Sequence, residues 1–276
     1  MDFRRYKERN IIRNKKLKKQ KISRLGMSKV NKQGCEMKII DYINATNITI
    51  QFQDEFHFIT EQRTWQEFQK GSIINPYYKS VYGIGYLGNR YPSRIDGKHT
   101  LEYIIWHSMF VRCYSNTSTH IRPTYNKSFV NKAWHNFENF YEWLHTQKNF
   151  ETFTINDKCQ LDKDILFKHN KEYSSDKCLL VPQSINKLFT KREALRGKYP
   201  IGVHKIGNKF IAQCQNIEYG KQVYLGSYNN PQQAFIAYKK YKEQLIKDTA
   251  RIEYLNNRIT EKCYEAMNNY IVEITD

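Results

Sequence analysis

The sequence predicts a modular α+β protein. Short alternating runs such as MKIIDYI and ITIQFQ carry the two-residue period of strands, while TLEYIIWHSMFVRCY and NKAWHNFENFYEWLHTQ repeat apolar residues at helical spacing. Charge is unevenly placed: residues 1–25 hold eleven Lys or Arg against two acids, and residues 196–248 hold nine against three. Two basic zones thus flank a nearly balanced middle. The expected parts are a basic arm over 1–25, a small β-rich module over 26–95 and a central unit over 96–195. A three-strand-plus-helix domain over 196–250 and a helical tail over 251–276 follow.

The arm, MDFRRYKERNIIRNKKLKKQKISRL, permits a helix but has few apolar anchors, and is expected to stay disordered until it meets phosphate. In the next module, NATN is the turn between two strands, and TWQEFQKG is a helix of one or two turns stopped at Gly71. Gly83-Ile-Gly85-Tyr-Leu-Gly88 matches the dinucleotide fingerprint as a string only. NRYPSR follows it, and Pro92 denies the helix such a site needs, so these read as turn glycines.

Two amphipathic helices come next. The first places apolar residues at Leu101, Ile104, Ile105, Met109 and Phe110; the second repeats Trp134, Phe137, Phe140, Tyr141 and Leu144. His107, His135 and His145 lie on or beside them as packing or surface residues. CQLDKDIL then reads as a strand, KHNKEYSSD as a loop, CLLVP as a second strand and QSINKLFTKRE as a helix. At the end of the chain, RITEKCYEAMNNYIVEI suggests a packing helix, with Val272 and Ile274 adding a strand.

Composition bounds the partners. The net charge is +18 with a pI near 9.5, which calls for a polyanion, and double-stranded DNA is the expected one. No apolar run approaches the length of a membrane helix, and no obligate protein partner is implied. Six scattered cysteines form no C-x-x-C pair, so neither a zinc finger nor a disulfide framework is expected, and a reducing cytoplasm is the natural setting.

A strand–loop–strand–helix within about 35 residues is the compact ββα-metal arrangement suited to phosphodiester cleavage. Asp162 and Asn186 are oxygen donors suited to Mg2+ or Mn2+ rather than zinc. Asp162 and Asp164 have an alternative use, capping the loop or pairing with Lys163 and Lys168.

W-H-S-M-F-V-R-C-Y, Tyr125, A-W-x-x-F-x-x-F, L-D-K-D and Y-S-x-x-x-C-x-x-V-P-x-x-I-N, in that order, resemble the phage-encoded HNH endonucleases, several of them homing enzymes. The resemblance covers about residues 100–192. It implies a metal-dependent DNA endonuclease in the host cytoplasm, with Asp162 and Asn186 as metal ligands and Asn170 bracing the finger. Lys163 stands where the general-base histidine normally does, as Lys or Arg does in similar phage proteins. Lysine is charged at neutral pH and a poor base. Its active role would be to bind phosphate and stabilise transition-state charge, with water activated by the metal or by His169. The alternative is a degenerate finger in a protein that binds DNA without cutting it.

Residues 200–247 carry three short strands punctuated by Gly207 and Gly220, then a helix capped by Asn230 with Pro231 at its first position. From G-V through A-Q-C-Q and V-Y-L-G-S-Y to A-F-x-A-Y, this looks like the ethylene-response-factor (APETALA-type, integrase-like) DNA-binding domain. The resemblance implies that the sheet enters the major groove. It places His204, Gln213, Gln215, Gln222 and Tyr224 on the reading face, with Lys205, Lys209 and Lys221 nearby for phosphates.

Overall fold

The first element is a helix, α1 (Phe3–Arg24). The arm expected to be disordered without DNA is thus helical here. Lys, Arg, Gln and Leu are all good helix formers, and neither Gly nor Pro occurs before Gly26. The helix also has an anchor that its sequence conceals. Arg24 donates to the Tyr42 hydroxyl at 2.7 Å and lies 4.0 Å from the centre of the Trp65 ring. The computed structural model describes residues 3–115, 127–154, 159–189, 198–216 and 220–274, and divides into two compact units, Met1–Tyr91 and Pro92–Asp276.

In the first unit, β1 (Ser28–Val30), β2 (Glu36–Asn44), β3 (Asn47–Phe52) and β4 (Ile59–Arg63) form an antiparallel meander in chain order. Alternation buries Met37 and Ile39 from β2 with Ile48, Ile50 and Phe52 from β3. Helix α2 (Trp65–Lys70) stops at left-handed Gly71, as TWQEFQKG predicted, and starts with a capping box between Thr64 and Glu67. The Gly83–Gly88 string forms turns: Val81 bridges to Gly85, and Gly83 and Gly88 have positive φ.

The second unit begins with a two-strand hairpin, β5 (Arg94–Ile95) and β6 (Lys98–His99), and helix α3 (Leu101–Tyr114) capped by Thr100. Tyr125, one of the motif residues, lies outside the described residues. After β7 (Phe129–Val130), the single helix expected from NKAWHNFENFYEWLHTQ is two pieces, a 3-10 turn over Lys132–His135 and α4 (Phe137–Thr146). Asn136 explains the break, because its side chain accepts the Glu138 amide and caps α4. Trp106, Phe110, Phe137 and Phe140 are buried, and the Trp106 indole donates to the Trp134 carbonyl at 2.8 Å.

Strand β8 (Cys159–Asp162) pairs antiparallel with β10 (Leu179–Pro182), and α5 (Gln183–Phe189) follows directly. The loop between them contains β9 (Glu172–Tyr173), which pairs parallel with β7. Then β11 (Val203–Ile206), β12 (Lys209–Asn216) and β13 (Lys221–Tyr228) form an antiparallel sheet. Helix α6 (Pro231–Leu255) packs on it, with Asn230 as N-cap. It continues past 250, and α7 (Glu261–Asn268) packs against it.

The sequence divided this stretch at 195/196, which lies outside the described residues, and at 250/251, yet described residues on both sides of each cut share one hydrophobic core. Ile165, Leu179, Val181 and Ile185 from the ββα region join Cys214 of the sheet, Phe235, Tyr238, Ile246 and Ala250 of α6, and Cys263 and Met267 of α7. Val272 joins this core from coil rather than from the strand expected there, and its amide donates to the Glu243 carboxylate at 2.8 Å.

Candidate functional site

The ββα region is built so that β8 ends on Asp162 and the next four residues turn sharply. Asp162 makes that turn itself: its Oδ1 accepts the amides of Asp164 and Ile165, each at 2.8 Å. The residue is only 8% exposed, and burial raises its carboxyl above the usual carboxylate range, against the pull of those two amides.

Lys163 is buried as well, at 5% exposure. Its ammonium donates to both oxygens of Asp164 at 2.8 Å and to the Asn170 carbonyl at 2.5 Å. The loop-capping and pairing use of these acids is therefore realised, while Lys168 pairs with Glu273 rather than with either aspartate. Asn170 occupies the bracing position. Its amide nitrogen donates to the carbonyls of Lys163 and Glu172 at 2.9 and 2.7 Å, and its oxygen accepts the Glu172 amide at 3.1 Å. Together, Asp162, Lys163, Asp164 and Asn170 form one closed knot.

Asn186 lies half-buried on α5, which packs against both β8 and β10. His169 is exposed at the loop tip in a left-handed conformation (φ 62) and makes none of the contacts that close the knot. Among the described residues no three His, Cys, Asp or Glu side chains gather as a metal cage. An Asp–Asn pair supplemented by water and phosphate does not need one. Oxygen donors of this type suit a hard cation: the turn's two hydrogen bonds fall on Asp162 Oδ1, not Oδ2, and a divalent charge would reverse the effect of burial on that carboxyl.

Arg112 has a role that the sequence reading left unassigned, although it stands in the W-H-S-M-F-V-R-C-Y string. From α3 its guanidinium donates to the Leu161 carbonyl at 3.1 Å and to Gln160 Oε1 at 2.9 Å, which fixes β8 one residue before Asp162. The histidines of the two helices pack as expected. His107 stacks on Tyr103, His135 contacts the Val130 carbonyl at 3.0 Å, and His145 contacts Glu102 at 3.1 Å. Burial pushes the Cys113 thiol up to about 12, and Cys178 and Cys263 are raised further, so these thiols are protonated and inert at neutral pH.

The three-stranded sheet turns Ala212 and Cys214 toward α6, so the alternate residues of β12 face away from it. Register places Gln213 opposite Tyr224 and Gln215 opposite Gln222, which gathers these four on the open face. His204 lies opposite Ile211 on the same side. Tyr224 is 65% exposed, a large exposure for an aromatic residue in mid-strand. The lysines are arranged differently. Lys205 pairs with Phe210 on the α6 side and sets its ammonium 5.7 Å from that ring, while Lys209 donates to Asn229 at 2.6 Å. Lys221 is exposed at the start of β13.

The chain matches no protein-family model, no curated protein and no solved structure. No helix among the described residues is long and apolar enough to cross a membrane.

Proposed function

We propose that the chain is a site-specific DNA endonuclease of the HNH homing type that acts in the cytoplasm of a phage-infected host. In this reading the ββα region cuts and the open sheet face selects the site. The observation that carries it is the buried Asp162 at the end of the first strand, backed by a helix bearing a second oxygen donor. Mg2+ or Mn2+ held by Asp162 and Asn186 would supply charge stabilisation at the scissile phosphate. Arg112 and Asn170 keep β8 and its loop in place for that contact. Lys163 stabilises the loop rather than acting as a base, because its ammonium is spent on Asp164 and Asn170. On the open face, Gln213, Gln215 and Gln222 offer amides suited to adenine edges.

The same closure of Lys163 favours a second reading, a DNA-binding protein or regulator built on a finger that does not cut. Cleavage of a plasmid carrying the gene's own neighbourhood, in Mg2+, Mn2+ or EDTA, decides between them. The endonuclease reading expects metal-dependent nicking or double-strand cutting, reduced at least about 100-fold by Asp162→Ala and by Asn186→Ala, as the loss of one group stabilising transition-state charge entails. A shifted but intact plasmid in every metal would support the second.

A further inference from the structure

We propose that α1 is a preformed, sequence-independent clamp on B-form DNA, anchored to the first unit at its C-terminal end and presenting its exposed basic surface to the major groove. Three features lead there.

The first is length. At about 1.5 Å per residue, the 22 residues of α1 span about 33 Å, well beyond the roughly 12 Å width of the major groove, so the helix is long enough to lie in it and meet both rims. The second is the placement of charge. Only Asn10, Leu17, Gln20 and Arg24 are half-buried along the described side chains, and they define one docked stripe. Advancing about 100° per residue, Lys15 and Lys19 face away from that stripe, Lys7 and Lys18 lie toward one flank of the exposed surface, and Arg9 and Lys16 toward the other. A helix seated in a groove meets phosphates on both flanks, and this distribution matches them. Glu8 is the single acid among residues 7–24. A membrane surface would ask for a continuous apolar face instead, yet the exposed Ile11, Ile12 and Ile22 are interleaved with Lys15, Lys18 and Lys19.

The third feature is the clasp at the C-terminal end. Arg24 is held by the Tyr42 hydroxyl and the Trp65 ring, Tyr42 in turn reaches Gln20 at 3.4 Å, and Lys21 pairs with Asp41 at 2.9 Å. Tyr42 is fully buried, so the clasp is rooted in the core of the first unit. Lys15, Lys16, Lys18 and Lys19 form no ion pair among the described residues, which leaves their charge for an outside anion. A helix already folded and anchored does not have to be ordered when it binds, which removes part of the cost a disordered arm would bear.

The test uses the full chain in EDTA, with a fluorescent duplex of arbitrary sequence about 24 base pairs long, which is somewhat over two turns. Affinity is measured across a salt series. Because each neutralised phosphate contributes about 0.9 to the log–log slope, Lys15→Gln/Lys18→Gln/Lys19→Gln is expected to flatten it by about 2.7, equally on unrelated sequences. An unchanged slope overturns the proposal. Trp65→Leu, which alters no charge, is expected to weaken binding several-fold while keeping the slope; unchanged affinity in a folded variant overturns the clasp.

Duplex RNA has a deep, narrow major groove, so as a competitor it is expected to be weaker than DNA, and equal competition overturns the groove seating. Tighter binding to phosphatidylserine vesicles than to DNA overturns the choice of partner. None of these readings requires cleavage. A chain that never cuts DNA can still give the expected slopes, and a chain that cuts can fail to give them.

Discussion

Asp162 does two things that pull against each other. Its Oδ1 makes the turn after β8, which requires an acceptor, while its burial disfavours the charge that acceptor carries. The sign of the pH effect follows. A carboxyl whose pKa is raised on folding binds its proton more tightly in the native state, so stability falls as pH rises from the unfolded carboxylate value through the folded one. Below the unfolded value the penalty is absent. Asp162→Asn keeps an oxygen acceptor and removes the charge. It is expected to melt above the wild type at pH 7, by about 1–2 kcal/mol in stability, with the gap closing below about pH 4. The metal reading adds a condition: Mg2+ should raise the wild-type melting point and leave Asp162→Asn unmoved. Scanning calorimetry at pH 4 and 7, with and without Mg2+, reads both. A wild type indifferent to Mg2+ would remove the site from consideration as a metal centre.

Elements that carry their own start and stop signals were legible. Thr64 with Glu67 and Gly71, and Asn230 with Pro231, bracket α2 and open α6 within a few residues of sequence. Strands β2 and β3 showed their alternation. Less visible was anything decided by a distant partner. The β7–β9 pairing involves two residues on each side and leaves no periodic trace. The anchoring of α1 depends on Tyr42 and Trp65, and the Asn136 break depends on a side chain used as a cap. In the candidate site, Asp162 and Asn186 could be picked out by residue type and spacing, and Asn170 only through the resemblance; the pairing of Lys163 with Asp164 was open as an alternative, but its contact with the Asn170 carbonyl was not foreseen.

Gly202 shows the same limit on the scale of one helix against one sheet. Its φ is +74, and an added Cβ would lie 2.0 Å from a ring carbon of Tyr238, so α6 approaches the sheet through a gap only glycine leaves. Gly202→Ala is expected to cost about 2–4 kcal/mol from backbone strain and overpacking together. Tyr238→Leu in the same chain should recover part of that loss, which a double-mutant cycle in urea would measure. Strict additivity would mean the two residues do not meet.

Across residues 92–276, the shared core has a consequence for how the protein unfolds. Reading and cutting are often pictured as beads on a linker, where each bead opens by itself. Here Ile246 of α6 is 1% exposed in a cluster that contains Leu179 and Val181 of β10 on one side and Cys214 of β12 on the other. Polar ties reinforce the join. Ser184 of α5 donates to Glu253 of α6 at 2.7 Å, and Asn149 donates to the carbonyls of Leu180 and Arg258, both at 2.9 Å. Opening the sheet from α6 therefore exposes part of the core that supports β10. Ile246→Ala should cost about 2–4 kcal/mol. Native-state hydrogen exchange should show that cost in the amides of β8 and β10 as well as those of β12 and β13. Strands β2 and β3, whose core is built from other residues, should keep their protection. If protection fell in β12 and β13 alone, the ββα region and the sheet would be independent folding units despite their contact. Under the proposed function, geometry between the open sheet face and the candidate site would then have to be set by bound DNA, whereas a joint loss would mean that α6 sets it beforehand.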